Sequence, residues 1–452
     1  MTTKPVNTRE LVQGILMDVT QQNVYSHIAL GNVLSKYQYL DKKERAFITR
    51  VVEGTLEHML EIDYILNQFS KVKVNKMKPV IRNILRSAVY QMKYMDSVPD
   101  SAACNEAVKL TVRKGFQNLR GFVNGVLRAV QRGMDQVEYP KDPIQALSVR
   151  YSMPEWILKP WLAEYGQETT ECILRDFQEE KPITIRCNLN RQTPDILKEK
   201  LEAQGVNVTK HPYLSYAFWI SGYDYLGDLQ SFQNGDFTVQ DVSSMLESEV
   251  AAPQKGDYVI DVCAAPGGKA LHIAEKLEGT GHVEARDLTP YKVEMIEENI
   301  RRMQAENISA VCRDATVPDL DSVDAADIVI ADLPCSGLGV LGKKTDLKYK
   351  ATEEGIKSLV CLQRQILEQV HLYVRPGGAL IYSTCTINRE ENEENVQWFL
   401  EQFPDFSLDS IEDKVCEELK DSITEKGCLQ LLPGIHQCDG FFIARFVRGG
   451  KQ

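Results

Sequence analysis

Two cysteines sit in short segments that each follow an apolar, strand-like run: Cys335 in Asp332-Leu333-Pro334-Cys335-Ser336-Gly337, and Cys385 in Ser383-Thr384-Cys385-Thr386. Methyl transfer to an amine or hydroxyl needs a positioned acceptor but no thiol. Transfer to C5 of a pyrimidine is different, because that carbon is not nucleophilic. A thiolate that adds to C6 makes C5 enamine-like and able to attack a methyl group. A base then removes the C5 proton, and the thiolate leaves by elimination. One cysteine must attack and a second acid/base group must help the exit. Taken singly, each thiol reads as a small buried hydrophobe. Both at strand ends, they favour the chemical reading. A free thiol has a pKa near ~8.5, so the site must favour thiolate. Spacing alone does not say which cysteine attacks.

Upstream, Asp261-Val262-Cys263-Ala264-Ala265-Pro266-Gly267-Gly268-Lys269 forms a glycine-bearing loop after another apolar run. It is neither the G-x-G-x-x-G of dinucleotide enzymes nor a P-loop. Its alanines and glycines let a ligand approach the backbone closely, and Pro266 stiffens the turn. Asp287 stands 20 residues beyond Gly267, just after the next strand, where a carboxylate accepts hydrogen bonds from both ribose hydroxyls. With no pyrophosphate fingerprint, a nucleoside cofactor such as S-adenosylmethionine fits better than NAD, and its sulfonium would favour a nearby thiolate. Cofactor candidates are therefore Cys263, Ala264, Ala265, Pro266, Gly267, Gly268, Lys269 and Asp287. Asp314, after the third strand, can accept from the adenine amino group. Asp332, ending the fourth, faces the transferred methyl or the target ring.

The elements that must position these residues are legible as patterns. Residues 8–135 read as helix almost throughout, with apolar residues at three- and four-residue spacing in Arg9–Val19, Glu44–Leu56, Pro79–Met92 and Phe116–Val130. Val137–Pro143 reads as a linker. A small α+β module follows, with strands at Ile183–Leu189 and Ala217–Ile220 and a helix at Thr193–Gln204, capped by Thr193 with Pro194 in its first turn. Strands at Tyr258–Cys263, His282–Ala285, Ala310–Arg313, Asp327–Ala331 and Ala379–Ser383 then alternate with helices through Leu277, at Pro290–Glu306 and near Glu353–Val374. Such alternation predicts an α/β, mostly parallel Rossmann-like sheet with helices on both faces and ligands outside the carboxyl ends of its strands. The expected division is an all-α domain at 1–138, an α+β module at 145–235 and a catalytic domain at 236–452.

With 452 residues, the chain exceeds one ordinary core. It has no run of eighteen apolar residues, and its polar start, Met1-Thr2-Thr3-Lys4-Pro5-Val6-Asn7, lacks the apolar core of a signal peptide. The eleven cysteines include no C-x-x-C pair, so neither a zinc site nor a disulfide framework is expected; a reducing cytoplasm suits them. The net charge of −12 looks wrong for a nucleic-acid partner. Residues 1–140, however, hold 20 Lys and Arg against 13 Asp and Glu, which is +7 and leaves −19 for the remainder. The basic residues cluster in Lys71–Lys78 with Arg82 and Arg86, and in Arg113, Lys114, Arg120 and Arg128. Such a stretch can hold a phosphate backbone, and any single member reads equally as a solvated face.

At these residues the chain resembles the Nol1/Nop2/Sun RNA cytosine-C5 methyltransferases. The matching text is Asp261–Lys269, Ala285-Arg286-Asp287, Asp332–Gly337, Ser383–Thr386, Asn388–Glu393 and Asp439-Gly440-Phe441-Phe442, and the likeness covers roughly 145–450. The helical part is similar to the NusB-type RNA-binding fold, in Asp41–Glu53, Asn105–Val108 and Phe122–Arg128; the α+β module would be RRM- or ferredoxin-like. A NusB-like domain on this catalytic domain is similar to the bacterial Sun-type members, which implies small-subunit ribosomal RNA as substrate, methylated at a cytosine of the 967 type. The resemblance also implies Cys385 as nucleophile, Cys335 as the residue assisting release, Asp332 as a catalytic residue and S-adenosylmethionine as cofactor; no metal, no membrane span and a cytoplasmic setting are expected, and the sequence leaves the oligomeric state open, with a monomer favoured. One departure is Lys343-Lys344-Thr345-Asp346, where the family often has an Arg-Arg-x-Pro-Asp type of segment. A transfer-RNA substrate, or a non-catalytic RNA-binding protein of the antitermination type, are the alternatives.

Overall fold

The apolar spacing of the first stretch is satisfied by helices Thr8–Gln21, Ser26–Lys36, Lys42–Glu57, Met59–Phe69, Pro79–Tyr94, Asp100–Arg113 and Arg120–Gly133. Local chemistry sets their starts. Asn7 and Asp41 accept from the backbone N–H of Glu10 and Glu44, Glu44 completes a capping box, and Pro79 occupies a first turn. The computed structural model describes residues 6–450, so the segment Met1–Pro5 of the polar start lies outside the described residues. Two units separate: one runs to Glu179 and includes Leu341–Lys350, the other comprises Glu180–Val340 and Ala351 onward.

In the first unit Ile81, Ile84, Leu85 and Val89 of helix Pro79–Tyr94 join a core with Ile15, Ile48, Val51, Ile62 and Leu127. Arg86 is drawn into that helix's buried side and donates to both oxygens of Asp63, at 2.7 and 2.5 Å. It is a structural ion pair and is not offered to a phosphate, which corrects the expectation for that residue. Lys71, Lys73, Lys76 and Lys78 remain exposed, while the buried Val74 and Met77 peg their segment down. The departing segment is also anchored here. The Ser26 N–H and hydroxyl donate to Asp346 at 3.0 and 2.6 Å, Lys350 pairs with it at 2.8 Å, and Lys343 and Lys344 stay exposed.

The second unit opens with β1 (Ile183–Cys187), β2 (Asn207–Lys210), β3 (Ala217–Ser221) and β4 (Phe237–Val239), an antiparallel sheet in the order β2-β3-β1-β4. Helix Pro194–Ala203 begins at the expected Thr193 cap and buries Leu197 and Leu201 against Ile185, Phe218 and Phe237. β4 is too short to show alternation in sequence.

The larger sheet contains β5 (Tyr258–Asp261), β6 (His282–Asp287), β7 (Ile308–Cys312), β8 (Ala326–Asp332), β9 (Val374–Thr384), β10 (Phe406–Leu408), β11 (Leu429–Leu431) and β12 (Phe441–Arg448). Its order is β10-β12-β9-β8-β5-β6-β7, with β11 on β12. β5 to β9 are parallel; β10 and β11 lie antiparallel to β12, which lies antiparallel to β9. The Rossmann-like sheet is therefore present, with an antiparallel edge that strand–helix alternation did not announce. Ile328 and Ile330 of β8 face one apolar layer, and Val329 and Ala331 the other, so both faces are covered. β5 has β6 on one side and β8 on the other. Strand order reverses there, the place outside the carboxyl ends where open α/β sheets bind their ligands.

Candidate active site

The site residues named from sequence fall on loops and strand ends at this edge, with Gly268 and Lys269 opening the helix that follows the loop. The loop after β5 is held from beneath by carboxylates. Asp261 accepts from the Cys263 N–H at 3.3 Å, and Asp287, at the end of β6, accepts from the Ala265 N–H at 3.0 Å and the Leu288 N–H at 2.7 Å. Lys292 pairs with Asp287 at 3.0 Å. Burial pushes Asp261 up to about 7, and burial also raises the Cys263 thiol, so that sulfur stays protonated.

Gly267 has φ +101°, and a Cβ there would come within 3.3 Å of Ile296 Cγ2; helix Gly268–Lys276 starts directly after it. A loop of small residues rimmed by the buried Asp287 carboxylate fits an adenosyl group on its own geometry. Asp314 lies two residues past β7, and its Oδ1 accepts from the Thr316 N–H and hydroxyl at 2.9 and 2.6 Å, bonds that lower its pKa.

Asp332 ends β8 and takes the Lys269 ammonium at 2.5 Å and the Ser383 hydroxyl at 3.2 Å. Burial works against the Lys269 charge. Asp332 and then Glu247 overcome it, and the ammonium is held. The Phe441 ring lies 5.4 Å from Lys269 Nζ. The two sulfurs meet as neighbouring strand ends dictate: Cys335 Sγ and Cys385 Sγ are 3.3 Å apart. The hydrogen bond to Cys385 and burial, with Glu391 and Asp332 nearby, raise Cys335 well above an ordinary thiol.

The supports of this pair escape the sequence reading. Glu391 accepts from Ser336 N–H at 2.8 Å, Ser336 hydroxyl at 2.5 Å and Gln363 at 3.1 Å, while Gln363 also donates to the Pro334 carbonyl at 2.9 Å. Asn392 accepts from Thr384 at 2.6 Å and donates to the Thr386 carbonyl at 3.0 Å. One segment thus grips both cysteine loops. That segment, Asn388–Glu393, is marked in sequence only as text matching the family, with no role for Glu391 or Asn392. Gly339 and Gly440 let two backbones cross: a Cβ on Gly339 would lie 2.2 Å from the Gly440 carbonyl oxygen, and the Gly440 N–H donates to Gly339 at 2.9 Å.

A cleft of about 1260 Å³ lined by Tyr216, Glu249, His272, Lys276 and Arg445 lies in the same unit but takes in none of these residues. Among the described residues no cluster of His, Cys, Asp and Glu is placed to hold a metal ion, and no helix is long and apolar enough to cross a membrane.

The strand-order reversal, a loop fit for an adenosyl group and an attached NusB-like helical unit together define the class, an S-adenosylmethionine-dependent RNA methyltransferase. Comparison with known proteins makes this particular. Residues 248–447 match the model of the 16S rRNA methyltransferase RsmB/F, residues 6–132 that of the NusB family, and residues 153–223 the ferredoxin-like domain of RsmF/B-like methyltransferases. The chain is 35% identical over 450 residues to the probable ribosomal RNA small subunit methyltransferase B of Bacillus subtilis, covering 99% of this chain and 100% of that one. It is 31% identical to a Synechocystis protein of the same description, over 98% of this chain and 100% of that one. NSun6 from Pyrococcus horikoshii, solved with SFG, shares the fold at a TM-score of 0.58 and 24% identity, covering 66% of this chain and 99% of that one. The chain belongs to the RsmB/F family of 16S rRNA methyltransferases.

Proposed function

We propose that this enzyme methylates C5 of a cytosine in small-subunit ribosomal RNA, of the 967 type, through a covalent bond between Cys385 Sγ and C6, with Cys335 aiding release. The observation that carries the reading is the sulfur pair, 3.3 Å apart at adjoining strand ends. Either sulfur can donate in this contact; with Cys335 as the donor, its S–H directed at Cys385 favours thiolate there. Cys385 adds to C6, so C5 gains the electron pair of the C5–C6 bond. Bound S-adenosylmethionine supplies an electrophilic methyl group; residues 263–269 with Asp287 and Asp314 hold it. Asp332, fixed by Lys269 and Ser383, faces the target ring. A water molecule acting as base takes the C5 proton, the C5–H electron pair re-forms the C5–C6 double bond, the C6–S bond breaks with its pair returning to Cys385 Sγ, and the Cys335 S–H beside it stabilises the departing thiolate.

Relatives named for small-subunit ribosomal RNA support the choice of RNA. The exposed Lys71, Lys73, Lys76 and Lys78, with Arg113 and Arg120, offer phosphate contacts, and the setting we infer is the cytoplasm. Replacing Cys385 by Ala should abolish transfer of labelled methyl groups to transcribed small-subunit ribosomal RNA. Replacing Cys335 by Ala should trap a protein–RNA adduct that survives denaturant as a shifted band. Trapping by the Cys385 variant alone would reverse the two roles. Loss of a single 5-methylcytosine from ribosomal RNA on deleting the gene would identify the target.

A further inference from the structure

Glu247 lies on helix Val242–Ala251, whose Val242, Met245, Leu246 and Val250 pack into one apolar face of the larger sheet. It is fully buried, and neither carboxylate oxygen has a hydrogen-bond partner of good geometry, although the Ser383 hydroxyl is near enough to act on it. Its Oε2 stands 3.5 Å from Lys269 Nζ, the ammonium that Asp332 holds at 2.5 Å. Two carboxylates therefore meet one cation, and only one of them has good partners. A buried acid so placed demands a reason.

The charged groups facing it come from three elements: Lys269 of helix Gly268–Lys276, Asp332 at the end of β8 and Asp261 at the end of β5. β9 contributes the Ser383 hydroxyl. From β12, Arg445 engages the Val250 and Ala251 carbonyls at the far end of the helix. Burial raises the Glu247 carboxyl, Asp332 and Asp261 raise it further, and Lys269 pulls it back without reversing the shift. Were it ionised, the Lys269 charge would be divided between two carboxylates. As a neutral acid it still offers a carbonyl oxygen to the ammonium and leaves the charge to Asp332.

The geometry points to Glu247 as a positioning residue for methyl transfer: its buried carboxyl stands behind the Lys269 ammonium and directs it onto Asp332, fixing the carboxylate that faces the target ring. This role rests on the reading of Asp332 and the thiol pair given above.

The test uses the full chain, labelled S-adenosylmethionine and transcribed small-subunit ribosomal RNA. Glu247→Gln keeps a carbonyl oxygen without charge and should hold kcat within about threefold of the parent. Glu247→Met fills the volume without an acceptor and should lower kcat at least about tenfold with both KM values nearly unchanged. A Met variant with parental kcat would show that Glu247 only packs, and a Gln variant as slow as Met would show that the charge is needed; either overturns the inference. If Met fails to fold, the Gln variant decides alone, retention supporting the role and a tenfold loss removing it. Cys385→Ala in the same assay separates the two readings. Residual transfer by that variant sinks the covalent mechanism, whereas its silence beside a fully active Met variant sinks only the role of Glu247.

Discussion

Glu391 and Glu247 are both buried beneath the same strand-end edge of the second unit, yet their surroundings are opposite. Glu391 arrives in a loop that carries its own donors to it: the Ser336 N–H and hydroxyl and the Gln363 amide converge on its two oxygens, and its backbone carbonyl accepts from Tyr382. Glu247 meets a single ammonium that another carboxylate already holds more closely. Burial raises both carboxyls, but three donors work to bring Glu391 back, whereas two further carboxylates push Glu247 higher. Equal burial therefore has two meanings. A satisfied acid is part of the frame; an unsatisfied one beside reacting groups is held in tension with them.

The largest expected effect follows from removing the frame. Glu391→Ala leaves the Ser336 N–H, the Ser336 hydroxyl and one Gln363 proton without their acceptor and frees both cysteine loops. It should cost about 3 kcal/mol in urea unfolding, and methyl transfer should be lost with it. Glu391→Gln keeps one oxygen but sets an NH2 against a donor, and a loss of about 1–2 kcal/mol is expected. Parental stability and turnover in Glu391→Ala would break the comparison, because the acid would then be no more a clamp than Glu247 is.

The contrast also explains what was legible in sequence. Cys335, Cys385, Asp332 and the loop 263–269 each follow an apolar run, so a strand-end location could be read from local pattern, and five parallel strands were legible from alternation with helices. The antiparallel edge was not. Phe441–Arg448 is buried nearly throughout its first half, which gives no period of two, and its place beside β9 comes from packing. Glu391 and Asn392 lie in the family-matching run Asn388–Glu393, yet their role stayed illegible, because a solvated helix start and a buried polar network use the same residue types. Arg86 looked like one more cation in a basic stretch until Asp63, 23 positions away, was brought against it. Glu247 stood in a segment that carried no motif at all. The division of labour between the two thiols had no local signal either, and entered only through family resemblance.

The smallest effect is the most discriminating. A carboxyl whose folded pKa lies above its ordinary value of 4.5 keeps its proton in the folded chain after the unfolded chain has released it. Near pH 4.5 and below, both states are protonated and Glu247 costs the fold nothing in ionisation. As pH climbs from there towards the raised folded value, the unfolded chain binds fewer protons, so stability drains from the folded state across that window. Glu247→Gln has no proton to release and escapes the loss. The difference in urea midpoint between the variant and the parent should therefore widen in favour of Gln as pH rises above the ordinary carboxyl value. Glu391→Gln should begin below the parent, because its change breaks hydrogen bonds that no pH restores. A Glu247→Gln difference that stays flat or shrinks with pH would mean that Glu247 is ionised in the folded chain and paired with Lys269. The two glutamates would then differ only in the partner that satisfies them.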